Sequence, residues 1–162
     1  MFRKLGIAAG IATTVLMIIA TGCSSTPKTS LTVQADAVEG ATGIKDPSNI
    51  CVETSHYYQG ESVVFRVKVT DPLTGQPMDD KAVTNVAVKL KDGQTLTAKY
   101  GGHPGKQPVD YFWTTAWAIP KDYPTGSTNY TVEATAKDGR TGSYIPFNVS
   151  SSLLTVVAPK AQ

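Results

Sequence analysis

In residues 62–70, Val63, Phe65, Val67 and Val69 alternate with Arg66, Lys68 and Thr70 on the other parity. A period of two sends successive side chains to opposite faces, so this run can bury its apolar set only as an extended strand. It reads as a central strand. Asp71-Pro72-Leu73-Thr74-Gly75 ends it, because proline fixes φ and lacks an N–H while glycine tolerates the left-handed turn conformation. The same period then recurs. Val86, Val88 and Leu90 are expected to pair with Leu96, Ala98 and Tyr100 across an Asp92-Gly93 turn. Tyr111, Trp113, Trp117 and Ile119 share one face of residues 111–119, up to Pro120. A last hairpin should set Tyr130, Val132, Ala134 and Ala136 against Ile145, Phe147 and Val149 across Asp138-Gly139, with residues 153–157 extending the final strand.

About seven short strands separated by turns, with no helical spacing beyond the first residues, predict an all-β fold, an antiparallel two-sheet sandwich. A small barrel is the competing architecture. Residues 24–49 are rich in Ser, Thr, Ala, Gly and Asp and read mainly as linker, with Leu31-Thr32-Val33 able to add a short edge strand or lie along the domain.

The start of the chain has its own logic. Arg3 and Lys4 precede an uncharged run, residues 5–20, and then the small residues Thr21 and Gly22, which is the order of a secretory signal. The run is short for a membrane span and rich in Gly, Ala and Thr. Ala20-Thr21-Gly22-Cys23 resembles the lipobox of bacterial lipoproteins, although leucine is commoner where Ala20 stands. That resemblance implies cleavage before Cys23, acyl chains on its thiol, and Ser24-Ser25-Thr26-Pro27-Lys28-Thr29-Ser30 as a tether. The expected organisation is a signal peptide over 1–22, lipidated cysteine and tether over 23–49, a sandwich over 50–158 and a tail over 159–162. Cleavage would take two of the 15 Lys and Arg and leave 13 cations against 13 Asp and Glu, a balance that gives no reason to expect nucleic acid as a partner. Cys51 would then be the one remaining side-chain thiol, and its ordinary reading is a small apolar residue buried in the first strand.

Asp122-Tyr123-Pro124-Thr125-Gly126 followed by Tyr130-Thr131-Val132 resembles the corner before strand F of immunoglobulin-like domains. The resemblance, over residues 50–157, implies an immunoglobulin-like or fibronectin type III-like sandwich and a tyrosine hydroxyl bonded back to upstream backbone. Val132 stands where antibody domains carry their second cysteine, so an inter-sheet disulfide is not implied.

Chemistry is sparse. The chain has no H-E-x-x-H, G-x-S-x-G or C-x-x-C-H and no phosphate-cradling glycine loop. Asp79 and Asp80 could in principle do acid-base work, but adjacent acids after Pro77 read as a solvated turn. Cys51, His56, Met78 and His103 offer the thiolate, imidazoles and thioether of a blue-copper site, although their order along the chain differs from that of plastocyanin-like sandwiches. Trp113 and Trp117 share a face with Ile119 and read as core, which leaves Tyr57, Tyr58 and Tyr123 as the better surface aromatics. His56, Tyr57, Tyr58 and His103 are therefore the expected contact residues, on loops of a rigid scaffold. The sequence thus suggests a non-catalytic lipoprotein of the bacterial envelope. It would be anchored through Cys23; the resemblance to lipoproteins of double-membrane bacteria, in which an aspartate after the cysteine is linked with inner-membrane retention, implies with Ser24 the outer membrane facing the periplasm, and the body would meet an envelope protein partner without a cofactor. A copper-binding or electron-transfer lipoprotein using Cys51, His56 and His103 is the alternative.

Overall fold

A computed structural model describes residues 29–43, 48, 50–103 and 108–159; the expected signal peptide, Cys23 and the last residues of the tail lie outside them. Among the described residues the regular structure is β: eleven strands and no α-helix. No helix there is long and apolar enough to cross a membrane.

The strands are β1 (Thr32–Glu39), β2 (His56–Tyr58), β3 (Ser62–Thr70), β4 (Val83–Leu90), β5 (Thr95–Thr97), β6 (Lys99–His103), β7 (Asp110–Ala118), β8 (Gly126–Thr128), β9 (Tyr130–Ala136), β10 (Thr141–Tyr144) and β11 (Leu154–Val157). One four-stranded sheet has the order β1-β3-β7-β6 and another the order β10-β9-β4-β5, each antiparallel throughout. A smaller sheet, β2-β11-β8, pairs β11 parallel to β2 and antiparallel to β8.

The two large sheets share one core in a sandwich-like arrangement. Val63, Phe65, Val67 and Val69 of β3 are buried together with Val86, Val88 and Leu90 of β4 and Tyr130, Val132, Ala134 and Ala136 of β9. Phe65 and Tyr130 join the sheets ring to ring, centroids 5.0 Å apart. Trp113 also enters this core, donating its indole N–H to the Met78 carbonyl at 3.2 Å. Val83 and Val86 differ in parity yet both are buried, because a register shift between Val83 and Asn85 resets the alternation of β4.

Several expectations change on contact with the structure. The segment read mainly as linker contains β1, eight residues paired along their whole length with β3. Its inward residues Val33, Ala35 and Ala37 lie opposite Val69, Val67 and Phe65, so even small side chains gain a face to bury. The hairpin expected to carry Tyr100 ends at Thr97: β5 pairs with β4, whereas Tyr100 lies on β6 and pairs with Trp113 of the other large sheet. The chain changes sheets at Ala98, which still donates its N–H to Val86.

The final hairpin is shorter than its apolar pattern suggests. Tyr144, not a residue of 145–149, lies opposite Val132, and pairing stops there. Pro146 has no N–H to continue the ladder, and β11 takes the place beside β8. Ile145, Phe147 and Val149 are consequently 63, 81 and 53% exposed. Tyr144, diagonal to Tyr130 across the β9–β10 pair, lies ring to ring with it, centroids 6.3 Å apart.

Candidate functional site

Each large sheet has an outer face, and on β3, β7 and β6 the residues opposite the core should be polar. Lys68, Lys99 and Thr114 obey this; Val64, Phe112 and Ala116 do not. Register explains why they meet: Val64 lies opposite Ala116, and Phe112 opposite Gly101, so three apolar side chains share the outer face of adjacent strands. They form part of the lining of an open concavity of about 860 Å³, together with Val38, Cys51, Arg66, Lys99 and His103.

His103 flanks this concavity. Its imidazole stacks on Phe112, ring centroids 4.9 Å apart at 25°, and its Nε2 lies 3.5 Å from the Thr114 hydroxyl oxygen. Gly101, the cross-strand neighbour of Phe112, carries no side chain that would cover the ring. The charges at the margin are mostly paired. Arg66 donates from Nε and Nη2 to the two carboxylate oxygens of Asp36 at 2.8 and 2.6 Å, and this hydrogen-bonded pairing raises the guanidinium pKa. Lys68 holds Asp110 at 2.7 Å, a bond that keeps the Asp110 carboxyl below the usual carboxylate range. An apolar floor edged by polar, hydrogen-bonding groups matches the anatomy of a contact surface.

The sequence-derived site residues do not assemble as one group. His103 and Cys51 line this concavity, whereas His56 lies on β2, in the smaller sheet, with its Nδ1 3.1 Å from the Ser55 hydroxyl oxygen. Tyr57 is fully buried and donates its hydroxyl to the Thr54 carbonyl at 2.9 Å; burial pushes its pKa up, so it is a core residue and not a surface one. Tyr58 is half-buried, its N–H bonded to the Glu61 carboxylate at 2.7 Å. Met78 is buried between the sheets, where its backbone bonds to Val69 and Trp113.

Cys51 also departs from expectation. It is exposed and outside any strand, and its φ of 67° is the one positive value at a non-glycine residue among the described residues. Backbone bonds explain this: its N–H donates to the Glu39 carbonyl, while the Glu39 N–H donates to Val52, fixing the turn against the end of β1. Among the described residues no cluster of three or more His, Cys, Asp or Glu could hold a metal ion.

Trp113 and Trp117 are buried, as their shared parity requires, and Tyr123 packs edge-on against Trp117. Asp79 accepts the N–H groups of Lys81 and Ala82 at 3.0 and 3.2 Å, a turn-stabilising use of its carboxylate. Phe112, Val64 and Ala116 were missed by the sequence reading; the available signal was apolar side chains on the polar parity of β3 and β7. Comparison of the chain with models of known families and with characterised proteins gives no match.

Proposed function

We propose that this chain is a non-catalytic envelope lipoprotein, acylated on Cys23, whose body acts as an interaction or accessory module through the outer face of the β1-β3-β7-β6 sheet. The observation that carries the contact reading is the concavity in which His103 stacks on Phe112 beside Val64 and Ala116. Apolar side chains there have no structural task in the core, and burying them against a partner is favourable at about 25 cal/mol per Å². An aromatic anchor surrounded by hydrogen-bonding groups is the arrangement from which binding hot spots are built. The partner is another envelope protein, and the address is the outer membrane facing the periplasm.

The body belongs, in this reading, to the immunoglobulin-like plan. Its support is the strand order: β1-β3-β7-β6 corresponds to A-B-E-D, and β10-β9-β4-β5 to G-F-C with an added C′ strand. Copper binding is the weaker reading, since Met78 lies in the core and His56 on a different sheet from His103.

The test is a photo-crosslinking residue at Ala116 in intact bacteria. A discrete adduct that disappears with Phe112→Asp, and does not form from the same crosslinker at Asp92, supports the proposal. Adducts indifferent to Phe112→Asp, or equal from both positions, overturn it.

A further inference from the structure

The edge of the sandwich carries a second feature that the contact face does not use. β9 and β8 run almost continuously, yet their partner on that side is broken: Tyr144 pairs with Val132, Leu154 with Thr128. Three residues, 129–131, thus face nine, 145–153. The surplus leaves the edge as an ordered turn, with Val149 donating its N–H to Phe147 and Ser152 donating to Val149 at 2.8 and 2.9 Å. It presents Ile145, Phe147 and Val149 outward, with Phe147 the most exposed of the large apolar residues among those described. No residue between Arg140 and Lys160 carries a charge.

What meets this turn follows from where the chain enters the body. The Leu31 N–H donates to the Thr141 carbonyl at 2.9 Å, so the N-terminal segment joins the body beside β10, the strand that leads into the turn. Thr141 and Ile145 are four residues apart, about 13 Å of strand. Cys23 and Leu31 are eight residues apart, at most about 29 Å of extended chain. A lipid on Cys23 therefore keeps a bilayer within reach of the turn.

We infer that Ile145, Phe147 and Val149 form a second membrane contact, dipping into the lipid interface and laying the β10 edge of the body along the bilayer. This rests on acylation of Cys23. The turn has apolar and aromatic side chains, no like-charge repulsion and no ionised group to dehydrate, which are the requirements for shallow insertion. The lack of cations makes the contact indifferent to anionic lipid.

The experiment uses the full acylated chain with Phe147→Trp, reconstituted in phosphatidylcholine vesicles with or without bromine on the acyl chains. Trp113 and Trp117 are buried and give the wild-type background. Interfacial insertion predicts a roughly twofold or greater loss of the added emission in brominated vesicles, unchanged when anionic lipid is included. Flotation with the vesicles without quenching overturns the contact and leaves the anchor standing. Failure of the wild-type chain to float overturns both. Leu73 is 72% exposed in the loop that Asp71 ties to Arg140, near the same tether junction. Quenching of Leu73→Trp but not of Phe147→Trp would overturn the edge-on posture in favour of an end-on one. An emission at position 147 that shifts only when a protein partner is added would overturn the lipid contact in favour of protein docking.

Discussion

Trp113 and Trp117 lie on one face of β7, both almost fully buried, and differ in how the indole N–H is met. Trp113 donates its indole N–H to the Met78 carbonyl, while the Trp117 N–H has no hydrogen-bond partner among the described residues. Replacing either by phenylalanine removes ring volume, at about 1.5 kcal/mol for lost transfer and incomplete collapse. For Trp113→Phe the broken bond and the carbonyl left behind add about another 1.5 kcal/mol. For Trp117→Phe the sign reverses, because an unsatisfied buried donor worth about 1.5 kcal/mol of desolvation is removed. The edge-on contact with Tyr123 is retained in kind by the smaller ring. Trp113→Phe should therefore destabilise by about 3 kcal/mol and Trp117→Phe by less than about 1. Urea unfolding followed by far-ultraviolet circular dichroism measures this directly; with a slope of about 1.5 kcal/mol per molar, the two midpoints should differ by more than about 1 M. Equal midpoints, or a Trp117 variant weaker than the Trp113 variant, would refute the hydrogen-bond assignment.

Three other outcomes follow from single sites. Arg140 holds Asp71 through its guanidinium, with the Leu73 N–H assisting, and so keeps the Asp71 carboxyl below its ordinary value. Such a group stabilises the fold fully above the unfolded value near 4 and loses that contribution as pH falls through the lower folded value. Asp71→Asn should thus lower Tm at pH 7 and flatten its decline below about pH 4; parallel Tm profiles for both proteins would be the contrary result. A Cβ at Gly142 would run into the Leu31 backbone, so Gly142→Val should free the start of β1. Hydrogen exchange at Leu31 should rise while that of β4 stays unchanged, and an unchanged Leu31 amide would be inconsistent with the packing. Cys51 should react with a maleimide in the folded protein at a rate near that of the urea-unfolded chain; labelling only after unfolding would place the thiol in the interior.

The period-two runs disclosed β3, β4, β7 and β9 because each buries one face and leaves the other in water. β1 was harder to read: its inward set includes Ala35 and Ala37, whose small side chains give little contrast with Gln34 and Asp36. The change of sheet at Ala98 is invisible to periodicity, since alternation continues unbroken from Leu96 to Tyr100 while the pairing partner changes. Alternation also misled at Ile145, Phe147 and Val149, where Pro146 and the competing pairing of β11 with β8 decided the outcome. Of the proposed contact face, His103 was singled out in the sequence as a loop residue, whereas it ends β6 and pairs with Asp110. Its neighbours Phe112, Val64 and Ala116 were not singled out, because only the strand register brings them together.

The account depends most on a body held at the envelope by lipid. Intact-mass and N-terminal peptide analysis of the chain purified from bacterial membranes tests that claim. The prediction is a mature chain lacking residues 1–22, beginning at Cys23 and heavier by two or three fatty chains, with Cys23→Ala leaving an unprocessed, unacylated form. A mature N-terminus at any other residue, or a Cys23 without acyl mass, would contradict it.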